Sequence, residues 1–86
     1  MPDFPALLRS AGLRSTPGRL AILETLERLR EPVKVTQFLR MLPAGMDRVT
    51  VYRALEQLAA AGLARTVRIG TAQRYERQGQ DDHHHV

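Results

Sequence analysis

Cysteine is absent from this sequence, which excludes a disulfide framework and any thiolate metal site built within the chain. Long apolar runs are missing too. The stretch from Leu55 to Ala64 is broken by charge and by Gly62, and no segment approaches the ~20 apolar residues that span a bilayer. No membrane partner is expected. The opening MPDFPALLRS lacks a basic-then-apolar organisation, so it does not read as a secretory signal, and a cytoplasmic location follows as the default. Serine occurs only at Ser10 and Ser15, and every histidine falls in one terminal run. No nucleophile–base pair is visible, and a tail cannot supply the closed site of a metal hydrolase. The chain is not expected to be an enzyme.

Lysine is nearly missing as well. Lys34 is the single lysine, and the other twelve of the thirteen basic residues are arginine. With Asp81 and Asp82 set aside, those thirteen face only seven acids. A basic, arginine-dominated domain suits a polyanion, because guanidinium meets phosphate with a rigid fork of donors. High arginine content also arises in GC-rich genomes, so charge by itself gives only a lean toward nucleic acid. At 43% hydrophobic and 26% charged residues, the 86-residue chain has the composition of one small globular domain. A chain of that size buries about 60–65% of its extended-chain surface, and its core is correspondingly modest.

Local signals lay out the elements. A first helix is predicted over Pro5 to Ala11 with Leu7 and Leu8 inward, and Gly12 and Leu13 close it. Ser15 and Thr16 offer a cap for a second helix whose first residue is Pro17. Leu20, Ile22, Leu23, Leu26 and Leu29 mark its apolar stripe, and it should end near Glu31, before Pro32. Thr36 is expected to cap a short helix over Gln37 to Leu42, stopped by Pro43. After the short connection PAGM, Asp47 opens another helix that Gly62 ends. The period then alternates, with Val67 and Ile69 on one face and Thr66 and Arg68 on the other. Gly70 and Thr71 make the turn, and Ala72 to Glu76 return as a second strand. The expected fold is mainly α with a small β-hairpin: a winged helix-turn-helix of three to four helices and a two-stranded wing. Residues 1–78 form that domain, and 79–86 are a His-rich tail.

The helix at 47–61 raises the functional question. At ~100° per residue, Val51, Leu55 and Leu58 share one face, with Ala59 at its edge. Arg53 falls almost opposite, flanked by Val49 and Gln57; Tyr52 lies at the boundary, Thr50 near the far side and Arg48 in the first turn. In a helix-turn-helix, the second helix enters the major groove with its N-terminal turns nearest the bases. Arg53 then suits guanine O6 and N7, and Tyr52 suits thymine methyls or a phosphate. Thr50 and Arg48 suit phosphate oxygens, and Arg68 and Arg74 of the hairpin suit backbone or minor groove. An alternative half-buries Tyr52 against Leu20 or Phe38 and pairs Arg53 with Glu56. A winged-helix protein-interaction module without DNA binding is the rival function, and it would require an apolar exposed face on this helix.

Three segments carry a family resemblance: LRSAGLRSTPGRLAILETL, TVYRALEQLAAAGLAR, and GTAQRYE followed by DDHHH. Together they resemble the N-terminal DNA-binding domain of the ferric uptake regulator family of metal-responsive bacterial repressors, across essentially the whole chain. The resemblance implies that Tyr52 and Arg53 contact bases, that Arg14 reaches an A/T-rich minor groove, and that Arg19 and Thr50 meet phosphates. An arginine in a narrow A-tract groove also meets enhanced negative potential on physical grounds. The implied partners are double-stranded DNA with an A/T-rich palindromic operator and, in the intact protein, a second copy of the chain. The resemblance implies a hinge and a dimerisation domain beyond this segment, so the chain is expected to be either an excised DNA-binding domain or a natural short form, and to bind operator DNA weakly when alone.

The resemblance also implies regulatory metal, iron, zinc or manganese, in the intact protein. Glu76, His83 and His85 would share one site, and Asp82 and His84 would project toward a second. Imidazole and carboxylate together suit such divalent ions. One departure is plain: Lys34 stands where the family usually supplies another histidine, and an ammonium cannot ligate a metal. The alternative for the HHH run is a terminal tail with adventitious metal affinity, in which case this chain alone carries no cofactor.

Overall fold

Asp3 starts the chain's first helix by accepting a hydrogen bond from the Ala6 N–H at 3.1 Å. The computed structural model describes residues 2–43 and 45–78. Within them, α1 spans Phe4–Ser10, α2 Pro17–Leu29, α3 Val35–Met41 and α4 Arg48–Ala60, followed by β1 Ala64–Ile69 and β2 Ala72–Arg77. The expected architecture is present, with α3 and α4 as the helix-turn-helix and β1–β2 as the wing.

Capping explains most boundaries. Thr16 caps α2 by accepting from the Arg19 N–H at 3.2 Å, with proline in the first turn. Asp47 caps α4 by accepting from the Thr50 N–H at 2.8 Å. At the other end of α4, Gly62 takes φ 81°, which lets the Leu63 N–H reach back to the Leu58 carbonyl at 2.9 Å. A residue with a Cβ would be strained in that left-handed conformation. Gly70 (φ 63°) likewise opens the two-residue turn between Ile69 and Ala72.

The boundaries that differ from expectation have identifiable causes. α1 begins one residue earlier than predicted because Asp3 supplies the cap. α2 stops at Leu29, with Arg30 left-handed at φ 57°; the proline at 32 disfavours helical geometry in the residue before it. The expected cap of α3, Thr36, lies inside the helix instead, and Lys34 occupies the N-cap position. Its side chain accepts nothing, but its N–H donates to Gln37 Oε1 at 3.2 Å. A long-range contact overrides the local threonine signal. Val33 pairs with Tyr75 through two backbone hydrogen bonds of 2.8 and 2.9 Å, so the chain leaves the sheet at Lys34 and turns directly into α3.

The core lies between the helices and the inner face of the hairpin. Leu8, Ile22, Leu23, Phe38, Val51, Leu55, Leu58 and Tyr75 are essentially inaccessible. Thr25 is buried among them and satisfies its hydroxyl by donating to the Ala21 carbonyl at 2.8 Å. Arg77, at the end of β2, is the least expected core element. Its guanidinium donates to the Leu63 and Gln78 carbonyls, lies 5.4 Å from the Phe4 ring centroid and sits 3.3 Å from the Glu27 carboxylate. That Nε–carboxylate approach lacks hydrogen-bond alignment, so it is an ion pair rather than a directed bond. Arg77 thereby fastens the base of the wing to α1 and α2.

Candidate nucleic-acid interface

The inner stripe of α4 fixes what its outer face presents. Val51, Leu55 and Leu58 are fully buried, so the helix cannot rotate without exposing them, at about 1.5–3 kcal/mol for each large apolar side chain. Arg48, Val49, Thr50, Tyr52, Arg53, Glu56 and Gln57 are consequently held outward, as the period predicts. Arg53 forms no hydrogen bond or ion pair among the described residues, and the alternative pairing with Glu56 is not formed there. Tyr52 is 37% exposed. It meets Tyr75 edge to face, with centroids 6.1 Å apart and planes at 90°.

The N-terminal loop of α2 converges on the same helix. Arg14, Arg19, Thr50, Arg53 and Gln57 line one open trough. Arg19 ties it together, donating from Nη1 to the Arg14 carbonyl at 3.0 Å and from Nη2 to Gln57 Oε1 at 2.8 Å. The second bond joins residues 38 apart in sequence. Arg19 was expected at a phosphate; the structure shows it holding the loop that presents Arg14 and the flank of α4 that presents Gln57. Among the described residues its remaining donors and the Gln57 amide hydrogens have no partner, which leaves them available to a ligand.

Thr50 also holds the cap of α4. Hydrogen bonding by Thr50, through its hydroxyl and then its N–H, holds the Asp47 carboxyl below its ordinary value of 3.8, and the nearby Arg53 charge adds to the effect. A carboxylate whose folded pKa is depressed contributes stability above its unfolded pKa and loses it as pH falls through the folded value. The thermal midpoint of Asp47→Ala should therefore lie below that of the parent protein at neutral pH. The gap should narrow once the pH drops below about 3.8; a gap of constant size from neutral to strongly acidic pH would contradict the cap's ionic character.

The wing divides its two candidate arginines between its faces. Arg68 pairs in register with Gln73, and Arg74 pairs with Val67. Directly opposed residues share a face and neighbours alternate, so Arg68 and Arg74 project from opposite faces of the hairpin. Arg68 shares the Tyr75 face, toward α4. Arg74 is half-buried on the other face, with Nε buried and unpartnered among the described residues.

Sequence reasoning did not single out Tyr75, which joins wing, core and Tyr52. Burial raises its pKa, and its hydroxyl accepts from Gln73 Nε2 at 2.9 Å. The usable signal was a lone aromatic in a polar strand at the parity of Gln73 and Arg77.

Of the donor set expected for metal, only Glu76 lies among the described residues. Glu76 accepts from Arg65 Nε at 2.5 Å in a cross-strand ion pair. No group of three His, Asp or Glu comes together there. Asp82, His83, His84 and His85 lie outside the described residues.

Comparison with known proteins agrees with this geometry. The ferric uptake regulator family model matches residues 10–86. The chain is 41% identical over 87 residues to Ferric uptake regulation protein 1 of Mycolicibacterium fortuitum, covering 98% of itself and 54% of that relative. It thus spans about half the length of the curated relative it matches. The crystal structure of the Vibrio cholerae ferric uptake regulator aligns with a TM-score of 0.77 and 31% identity, over 95% of this chain and 65% of that one. The solution structure of a homodimeric winged helix-turn-helix DNA-binding domain from Mycobacterium bovis aligns with a TM-score of 0.66 and 29% identity, over 92% and 68% of the two chains.

Proposed function

The chain belongs to the ferric uptake regulator family, and from that premise we propose that it is the sequence-specific DNA-binding domain of a metal-dependent transcriptional repressor. The observation that carries this reading is the outer face of α4, where Arg53 stands exposed and, among the described residues, unpartnered beside Tyr52, next to a trough shared with Arg14, Arg19, Thr50 and Gln57. In this reading α4 enters the major groove, Arg53 pairs with a guanine, and Tyr52 packs on thymine methyls. Arg48, Thr50, Arg19 and Gln57 set register on the phosphates. Arg14 enters the adjacent A/T-rich minor groove, and Arg68 approaches the backbone from the wing. The rival protein-docking role lacks the apolar face it needs, because Val49 is surrounded by Arg48, Arg53 and other polar neighbours on α4.

Residues 1–78 constitute the reading head, and 79–86 begin the hinge toward a dimerisation domain in the intact protein. Two linked copies would address the half-sites of a palindromic operator. Regulation by iron, zinc or manganese belongs to that intact protein, with ligands drawn largely from beyond the described residues. No helix among the described residues is long and apolar enough to cross a membrane, and the cytoplasm is where such a protein would meet its operator. A catalytic role forms no part of this reading.

Fluorescence anisotropy of an A/T-rich palindromic duplex and a scrambled duplex, at several salt concentrations, tests the proposal. The expected result is steeply salt-dependent binding in the range of about 10⁻⁴–10⁻⁶ M for the single domain, with the palindrome preferred. Absence of binding at low salt would overturn it.

A further inference from the structure

On the wing side of α4 lies a second groove, lined by Lys34, Thr36, Arg48, Tyr52 and Gln73. Its charged side chains are both cations. No carboxylate lines it, and neither Lys34 nor Arg48 forms an ion pair among the described residues. The ammonium and guanidinium supply donors only, and the threonine hydroxyl and glutamine amide can add more. Such a lining suits an anion with several acceptor oxygens and disfavours a metal cation.

The backbone places Lys34 there firmly. Val33 is held to Tyr75 by two hydrogen bonds, and the Lys34 N–H is held by Gln37 Oε1 at 3.2 Å. The Cα of Lys34 is thus pinned where the sheet gives way to α3, while its side chain is exposed. Arg48 projects from the first turn of α4, the part of the helix that lies deepest in a major groove. A duplex seated on α4 would bring its phosphate backbone along the edge of that groove, opposite the edge beside Arg14.

We infer that Lys34 is a DNA-phosphate-binding residue, gripping with Arg48 the backbone strand on the wing side of α4. The inference rests on the DNA-binding reading and extends it. Its consequence is specific: the residue that breaks the expected metal-ligand set supplies a backbone contact that needs no metal.

Each phosphate neutralised contributes about −0.9 to the slope of log affinity against log salt for duplex DNA. Lys34→Gln should therefore flatten that slope by about 0.9, a loss of roughly five-fold in affinity at about 0.15 M salt. The loss should be equal on palindromic and scrambled duplexes, and Lys34→Arg should restore the parent slope. A Lys34→Gln slope equal to the parent's would overturn the inference while leaving the DNA reading intact. Failure of the parent chain to bind either duplex would overturn both. Should Lys34→Gln abolish binding of inorganic phosphate, followed by amide chemical shifts, with no change in DNA slope, the groove would belong to a free anion and the inference would again fall.

Discussion

Arg53→Ala is expected to weaken operator binding by about 1–3 kcal/mol and to relax the preference at one base position. The reasoning is geometric. Arg53 sits opposite the buried stripe of α4, exposed and without a hydrogen-bond or ion-pair partner among the described residues, so truncation removes only its weak, solvent-screened attraction to the Asp47 carboxylate. Alanine is the best helix former, and α4 keeps its Asp47 cap and its buried Val51, Leu55 and Leu58. Folding should be little affected, with a thermal midpoint close to the parent value. The diagnostic measurement is the ratio of affinities for palindromic and scrambled duplexes. A guanine contact predicts that the ratio falls, whereas a phosphate contact predicts equal losses on both duplexes. Equal losses would remove Arg53 from base reading and leave that role to Tyr52.

Tyr75→Ala is expected to cost about 3–5 kcal/mol of folding stability, the range for deleting a large buried ring. Tyr75 is 2% exposed and sits at the meeting point of the wing, Val33, the helical core and Tyr52. For a domain whose total stability is about 5–15 kcal/mol, that loss takes away a large share. Tyr75→Phe separates ring from hydroxyl: it keeps the edge-to-face contact with Tyr52 and loses only the Gln73 bond, at about 1 kcal/mol. Urea denaturation of the three proteins should rank them parent, Phe, Ala. If alanine cost no more than phenylalanine, the packing role assigned to Tyr75 would be wrong. The phenylalanine variant should also retain duplex preference, because Tyr52 keeps its support.

The two predictions probe different layers. Arg53 is a surface group whose position comes from its own helix, while Tyr75 is a core group that gathers distant segments. Both were present in the sequence, but only Arg53 was legible as functional there. Its place follows from the period of α4, and that period is visible within four turns.

What the sequence determined by itself is local. Thr16 before Pro17, Asp47 before the first turn of α4, and Gly12 and Gly62 after their helices act through hydrogen bonds a few residues long. So does the alternation of the hairpin across Gly70. These rules suffice for the winged helix and for the outward set Arg48, Thr50, Tyr52, Arg53 and Gln57. What only the tertiary structure decided involves residues far apart in the chain. The Val33–Tyr75 bridge moved the start of α3 from Thr36 to Lys34; Arg19 closed on Gln57 across 38 residues. Strand register paired Glu76 with Arg65 and set Arg68 and Arg74 on opposite faces. Propensities and caps act over a helical turn or a two-residue repeat. A contact between distant segments depends on how the whole core closes, which is why a threonine with good capping chemistry lost its place to a lysine held next to a β-bridge.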